Sequence, residues 1–100
     1  MVKLEDAVIA RYEIKGEKFE VLVDPDAAQK LRNNEHVNII ENLVIDTVFK
    51  DSNKGTRASE ESLQKLFGTT DVELIAKEII LKGELQLTTE QRRKMIDAKS

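Results

Sequence analysis

Two alternating runs joined by a short polar turn constrain the fold of this chain most. In residues 7–14, Val8, Ala10, Tyr12 and Ile14 fall on one side, and Arg11 and Glu13 fall on the other. That is the period of a half-buried β-strand. Phe19, Val21 and Val23 repeat the alternation over residues 18–23. Between the runs stands Lys15-Gly16-Glu17, and glycine accepts the positive φ that a tight reversal demands. The two runs read as a β-hairpin.

Helical signals follow. Asp24-Pro25 opens a helix: the aspartate caps it, and proline suits the first helical position, where its missing N–H has no partner to lose. Ala27, Ala28 and Leu31 form its apolar stripe, and Asn33-Asn34 ends it. Residues 36–45 are ambiguous. Val37, Ile40 and Val44 fit a helix loosely while Ile39, Asn42 and Asp46 do not decide it, so the expectation is a short helix near 38–43 and a strand over 45–50. Residues 51–57 contain no apolar side chain and read as an exposed loop. Ser59 caps a helix with Leu63, Leu66 and Phe67 inward and Gly68 as its stop. Thr70 and Glu73 have capping-box spacing. Val72, Ile75, Ala76, Ile79 and Ile80 then give the clearest helical period in the chain, closed by Gly83. Glu84-Leu85-Gln86-Leu87 alternates as a short strand, and Thr88 and Gln91 open a last helix that meets no stop before Ser100. The expected division is a domain over 1–87, with 88–100 beginning a helix that leads into a further domain.

Composition narrows the chemistry. One hundred residues suffice for one core. There is no cysteine and one histidine, His36, which excludes disulfides and zinc sites built from those residues. No apolar run is long enough to span a membrane. The first six residues carry acids where a signal peptide is basic and then apolar, so a cytoplasmic location is expected. His36 lies in a polar stretch without a nucleophile or orienting acid beside it and reads as a solvated side chain. The carboxylates mostly fit solvated helix faces; Glu73 and Lys77, for example, are an i, i+4 pair. No catalytic set, metal site or cofactor site emerges.

The net charge of −3 conceals a segregation: residues 20–46 carry −4 and 59–88 carry −3, whereas 47–58 and 89–100 each carry +2. Local positive stretches matter more than the total for a polyanionic partner. Ser52-Asn53-Lys54-Gly55-Thr56 lacks the first glycine of a nucleotide-binding P-loop and has its lysine and glycine reversed. Nucleotide hydrolysis is not expected. Lys50, Lys54 and Arg57 nonetheless lie on or beside a glycine-bearing loop with backbone N–H groups expected to be free, a combination suited to phosphate oxygens. A plain solvated connection is the other reading. Arg92-Arg93-Lys94 is a second basic cluster, either an RNA contact or the polar side of a docked helix. Arg11 either extends the basic surface from the first strand or is an ordinary exposed arginine.

In this order the segments resemble the Shwachman–Bodian–Diamond syndrome (SBDS) family of ribosome-maturation factors. The resemblance is carried by Ala7-Val8-Ile9-Ala10-Arg11 with Gly16-Glu17-Lys18-Phe19-Glu20, by Val48-Phe49 followed by Lys54-Gly55, and above all by Leu66-Phe67-Gly68-Thr69-Thr70-Asp71 with Lys82-Gly83-Glu84-Leu85-Gln86-Leu87. Asp24-Pro25 and Thr89-Glu90-Gln91-Arg92-Arg93 are similar to archaeal-type members. The resemblance implies an α+β N-terminal domain: a small mixed sheet of about four strands, including the N-terminal hairpin, packed against about four helices, with two further domains beyond. It implies binding to ribosomal RNA of the large subunit, in concert with an elongation-factor-like GTPase that releases an anti-association factor. Arg11, Lys18, Lys54 and Gly55 match the family's candidate RNA surface, while Lys50 and Arg57 rest on charge alone. The expected protein is a monomer that binds rather than catalyses. The competing expectation is a protein-interaction module without RNA contact, its acidic stretches meeting a basic partner.

Overall fold

A computed structural model of the chain describes residues 7–87. The first hairpin pairs β1 (Val8–Ile14) with β2 (Glu17–Val23), Val8 opposite Val23 and Ile14 opposite Glu17. Only Lys15 and Gly16 remain in the turn, both at positive φ (50° and 81°), the backbone twist that lets two strands close without splaying.

Asp24 follows β2 directly and caps α1 (Pro25–Arg32), its Oδ2 accepting from the Ala27 N–H at 3.0 Å. After α2 (Ile39–Asn42) the chain returns beside the end of β2 that it had left: Leu43 bridges Val23, and the Val44 N–H donates to the Leu22 carbonyl at 2.8 Å. Re-entry at the same end makes the next strand antiparallel. The Thr47 N–H then turns back onto the Ile45 carbonyl, so the strand expected over 45–50 is broken by a bend and resumes as β3 (Phe49–Asp51). The polar run expected to be a loop is the end of a second hairpin, in which β4 (Thr56–Arg57) pairs with β3. This accounts for five strands rather than four. The sheet, ordered β4-β3-β2-β1-β5, is antiparallel throughout rather than mixed.

α3 (Glu60–Phe67) begins at its Ser59 cap and ends at Gly68, as its sequence signals require. α4 (Val72–Lys82) is capped by Asp71, whose carboxylate accepts from the Glu73 N–H at 3.0 Å. The expected Thr70–Glu73 box does not form, because the aspartate one position later supplies the acceptor. β5 (Glu84–Leu87) returns antiparallel along β1. The last expected helix, including Arg92, Arg93 and Lys94, lies outside the described residues, as does the division at 88.

The helices cover one face of the sheet. Val8, Ala10, Phe19, Val21 and Val23 meet Ala27, Ala28, Ile39, Leu63, Ile75, Ala76, Ile79 and Ile80 in one buried core. Phe67 packs edge-on against Phe19, ring centroids 5.0 Å apart. Arg32 ties the ends of α1 and α4 together by donating to the carbonyls of Ile80 and Gly83. The opposite face has a smaller apolar cluster of Ala7, Leu22 and Phe49, flanked by Ile9 and Val44.

Gly83 stops α4 for a reason its sequence position does not reveal. Its φ is −89°, which any residue adopts. A Cβ there would stand 2.8 Å from the carbonyl carbon of Arg11 and collide with its oxygen. Helix end and strand β1 touch backbone to backbone. Gly83→Ala should therefore cost about 2 kcal/mol or more, as overpacking a tight contact does, while Leu81→Ala at a half-exposed site nearby should stay within about 0.5 kcal/mol. Urea midpoints of the two variants check the contrast.

Candidate nucleic-acid interface

Both hairpin turns lie at the same end of the sheet. β1 and β3 run toward it, and β2 and β4 run away. That topology gathers Lys15, Lys18, Lys50, Lys54 and Arg57, far apart in sequence, around two adjacent turns, with Glu13, Glu17, Glu20 and Asp51 as the local acids. The other end carries the acids of the α1 and α2 starts. A groove of about 300 Å³ there is lined by Asp24, Asp26, Lys30, His36 and Glu41 among others. Within it His36 is exposed.

On the face away from the helices, Glu84, Arg11, Glu20, Phe49 and Arg57 are successive partners across all five strands. Glu20 stands at the centre of this row and is 3% exposed. A buried carboxylate is tolerated only when its charge and lone pairs are satisfied, and here both oxygens are. Oε2 accepts from Arg11 Nε at 2.7 Å and lies 2.6 Å from Arg11 Nη2. Oε1 accepts from the backbone N–H of Ser52 at 2.7 Å, the first residue of the second turn.

That turn is closed by its own chain. Asp51 Oδ1 accepts from the N–H groups of Asn53 at 3.1 Å and Lys54 at 3.3 Å, and the Gly55 N–H donates to the Ser52 carbonyl. The backbone donors expected to be free for phosphate at residues 52–55 are thus engaged internally. A polyanion would meet the side chains, not the amides.

The candidate cations divide by surroundings. Arg11 is held by Glu20, with a third of its side chain exposed. Lys50 projects to the helix-covered face, 2.5 Å from Glu17 Oε1 and 5.9 Å from the centre of the Phe19 ring, and ties the second hairpin to the first. Lys18, Lys54 and Arg57 are exposed and make no ion pair among the described residues. Lys18 and Arg57 share the face away from the helices, Lys54 sits in the turn, and Gly55 follows it at φ 69°. Sequence reading missed Lys15 and Glu20. A signal for Glu20 existed: once the turn is two residues long, the hairpin register puts Arg11 opposite Glu20.

Among the described residues no group of three or more histidines, aspartates or glutamates is placed to hold a metal ion, and no helix is long and apolar enough to cross a membrane. The class defined by the fold is a small α+β domain that displays one charged sheet face and a basic pair of hairpin turns. Residues 6–93 match the model of the Shwachman-Bodian-Diamond syndrome (SBDS) N-terminal domain, and the chain belongs to that family. It is 51% identical over 100 residues to a ribosome maturation protein SDO1 homolog of Methanothermobacter thermautotrophicus, covering 99% of this chain and 43% of the relative. Identity is 40% over 99 residues to the homolog of Aeropyrum pernix, covering 99% and 42%. It is 35% over 96 residues to ribosome maturation protein SDO1 of Saccharomyces cerevisiae, covering 96% and 38%. The chain thus spans less than half the length of these relatives.

The turn geometry has a direct check. Asp51→Ala removes the acceptor of two amides, each worth about 1 kcal/mol. Amide exchange at Asn53 and Lys54 should quicken markedly, while Ile75 and Ile79 in α4 keep their protection.

Proposed function

We propose that this chain is the domain through which a ribosome-maturation factor docks on ribosomal RNA of the large subunit, using the hairpin-turn end of its sheet. One observation carries the reading: the antiparallel topology brings Lys15, Lys18, Lys54 and Arg57 to one end of a chain whose net charge is −3. Cations on a turn that is already ordered neutralise phosphates without the cost of ordering a loop on contact. With the turn amides engaged, the contacts are those of side-chain charge with the phosphate backbone, which fix position and orientation but read no base. The domain acts by binding and positioning. In the whole protein, a factor of the cytoplasm, the docked domain would place the remaining domains so that an elongation-factor-like GTPase can release an anti-association factor and the subunits can join. The relatives' names, ribosome maturation proteins, support the general role.

A second reading has its own observation. The groove beside Asp24, Asp26 and Glu41 is acidic and lies at the opposite end of the sheet, so a basic protein segment would find its charge partner there without RNA contact.

Binding of the full-length protein to large ribosomal subunits, measured as salt rises, separates the two. Affinity should fall steeply with salt. Joint Lys54→Glu and Arg57→Glu substitution should weaken binding at least tenfold and flatten the logarithmic salt slope by about 1.4–1.8, the contribution of two phosphate contacts. Joint Asp26→Lys and Glu41→Lys substitution should leave the affinity intact. The reverse pattern would establish the protein-interaction reading.

A further inference from the structure

We propose that Glu20, an acid at the centre of a surface read as RNA-binding, is the positioning residue of that surface: it raises affinity for a polyanion although its own charge opposes it. The inference rests on the RNA-docking reading above.

The second turn hangs from a β3 of three residues and a β4 of two. Such short strands hold a turn weakly by themselves. Besides the Lys50–Glu17 pair, the Glu20 carboxylate tethers the turn itself to the body of the sheet, reaching across from β2 to the Ser52 N–H at 2.7 Å. The Ser52 hydroxyl does not contribute: its oxygen is buried and has no hydrogen-bond partner among the described residues. The other carboxylate oxygen holds Arg11. One buried group therefore fixes the direction of an arginine on β1 and the origin of the turn that carries Lys54.

Substitution separates charge from geometry. Glutamine has the size of glutamate but one acceptor oxygen, and its amide nitrogen only donates. In Glu20→Gln that oxygen serves Arg11 or the Ser52 N–H, not both. The substitution also deletes a negative charge between Arg11 and Arg57. A surface governed by net charge would bind RNA more tightly after it; a surface that depends on placement binds more weakly.

The test uses the full-length protein and large ribosomal subunits at fixed salt. Glu20→Gln should weaken binding about tenfold or more, the effect of one lost hydrogen bond to a charged group. In the free protein, amide exchange should quicken at Ser52–Gly55 and not at Ile75 and Ile79. Ile79→Val, which loosens the core without touching the turn, should bind as the parent does. If Glu20→Gln does not fold, Ser52→Pro removes the turn's donor and keeps the Glu20 charge, while its ring also fixes φ at that position, and a loss at least as large is expected. Unchanged or tighter binding by the folded Glu20→Gln variant, or by Ser52→Pro in its place, overturns the role of Glu20. If Lys54→Glu with Arg57→Glu leaves binding intact, the RNA-docking reading fails and the proposal falls with it. Loss in that pair with none in Glu20→Gln sinks the positioning role alone.

Discussion

A central strand buried on both faces is the constraint from which the rest of this structure follows. Phe19 through Val23 of β2 are all buried. The helix-facing side chains need a roof, and α4 supplies it with four buried residues at helical spacing, Ile75, Ala76, Ile79 and Ile80. The other side chains, Glu20 and Leu22, need cover on a face that no helix reaches. Leu22 finds it in Phe49, Val44 and Ala7. Glu20 finds it in a guanidinium and a backbone amide. Removing one partner of a buried charge is costly, typically by several kcal/mol, because the other charge is left without solvent or counter-ion. Arg11 keeps a third of its side chain in water, so the figure for this pair lies below that range.

The same economy of contacts joins helix to sheet. α4 reaches β1 so closely at Gly83 that no side chain fits between them, and Arg32 at the end of α1 occupies the carbonyls left over at the end of α4. Helix ends leave four carbonyls without intrahelical partners, and a cation is the favoured neighbour there. The contact that ends the helix therefore also starts β5, which pairs with β1 from Glu84 onward.

Much of this was legible in the sequence. The hairpin showed itself by alternation, and Asp24 and Ser59 by being caps before apolar periods. α4 was clear because its four buried residues recur at i, i+1, i+4 and i+5. What escaped had physical causes. β4 is two exposed residues, Thr56 and Arg57, too short to alternate. The bend at 45–47 interrupts a run that, apart from Asp46, suits a strand. Asp71 displaced Thr70 as a cap because either side chain can accept the same amides. Glu20 occupies the polar phase of its strand and so reads as solvated. Its burial depends on Phe49 and Ser52, about thirty residues away. Of the cations of the site, Lys18, Lys54 and Arg57 were legible as residues and Lys15 was not, and their gathering was hidden because it depends on strand order. The engagement of the turn amides was equally hidden, because it depends on which way the Asp51 and Glu20 carboxylates point.

Among the described residues, the basic turn end and the acidic starts of α1 and α2 stand at opposite ends of the strands. A net negative body is repelled by a polyanion at long range, yet the field of a phosphate surface exerts a torque on charges of opposite sign held apart in such a body. Over distances comparable with the Debye length, about 8–10 Å at physiological salt, the domain would be turned with its paired turns leading before any contact is made. On the proposed RNA-docking reading, antiparallel pairing, usually valued for its hydrogen bonds, would also bias the orientation of approach.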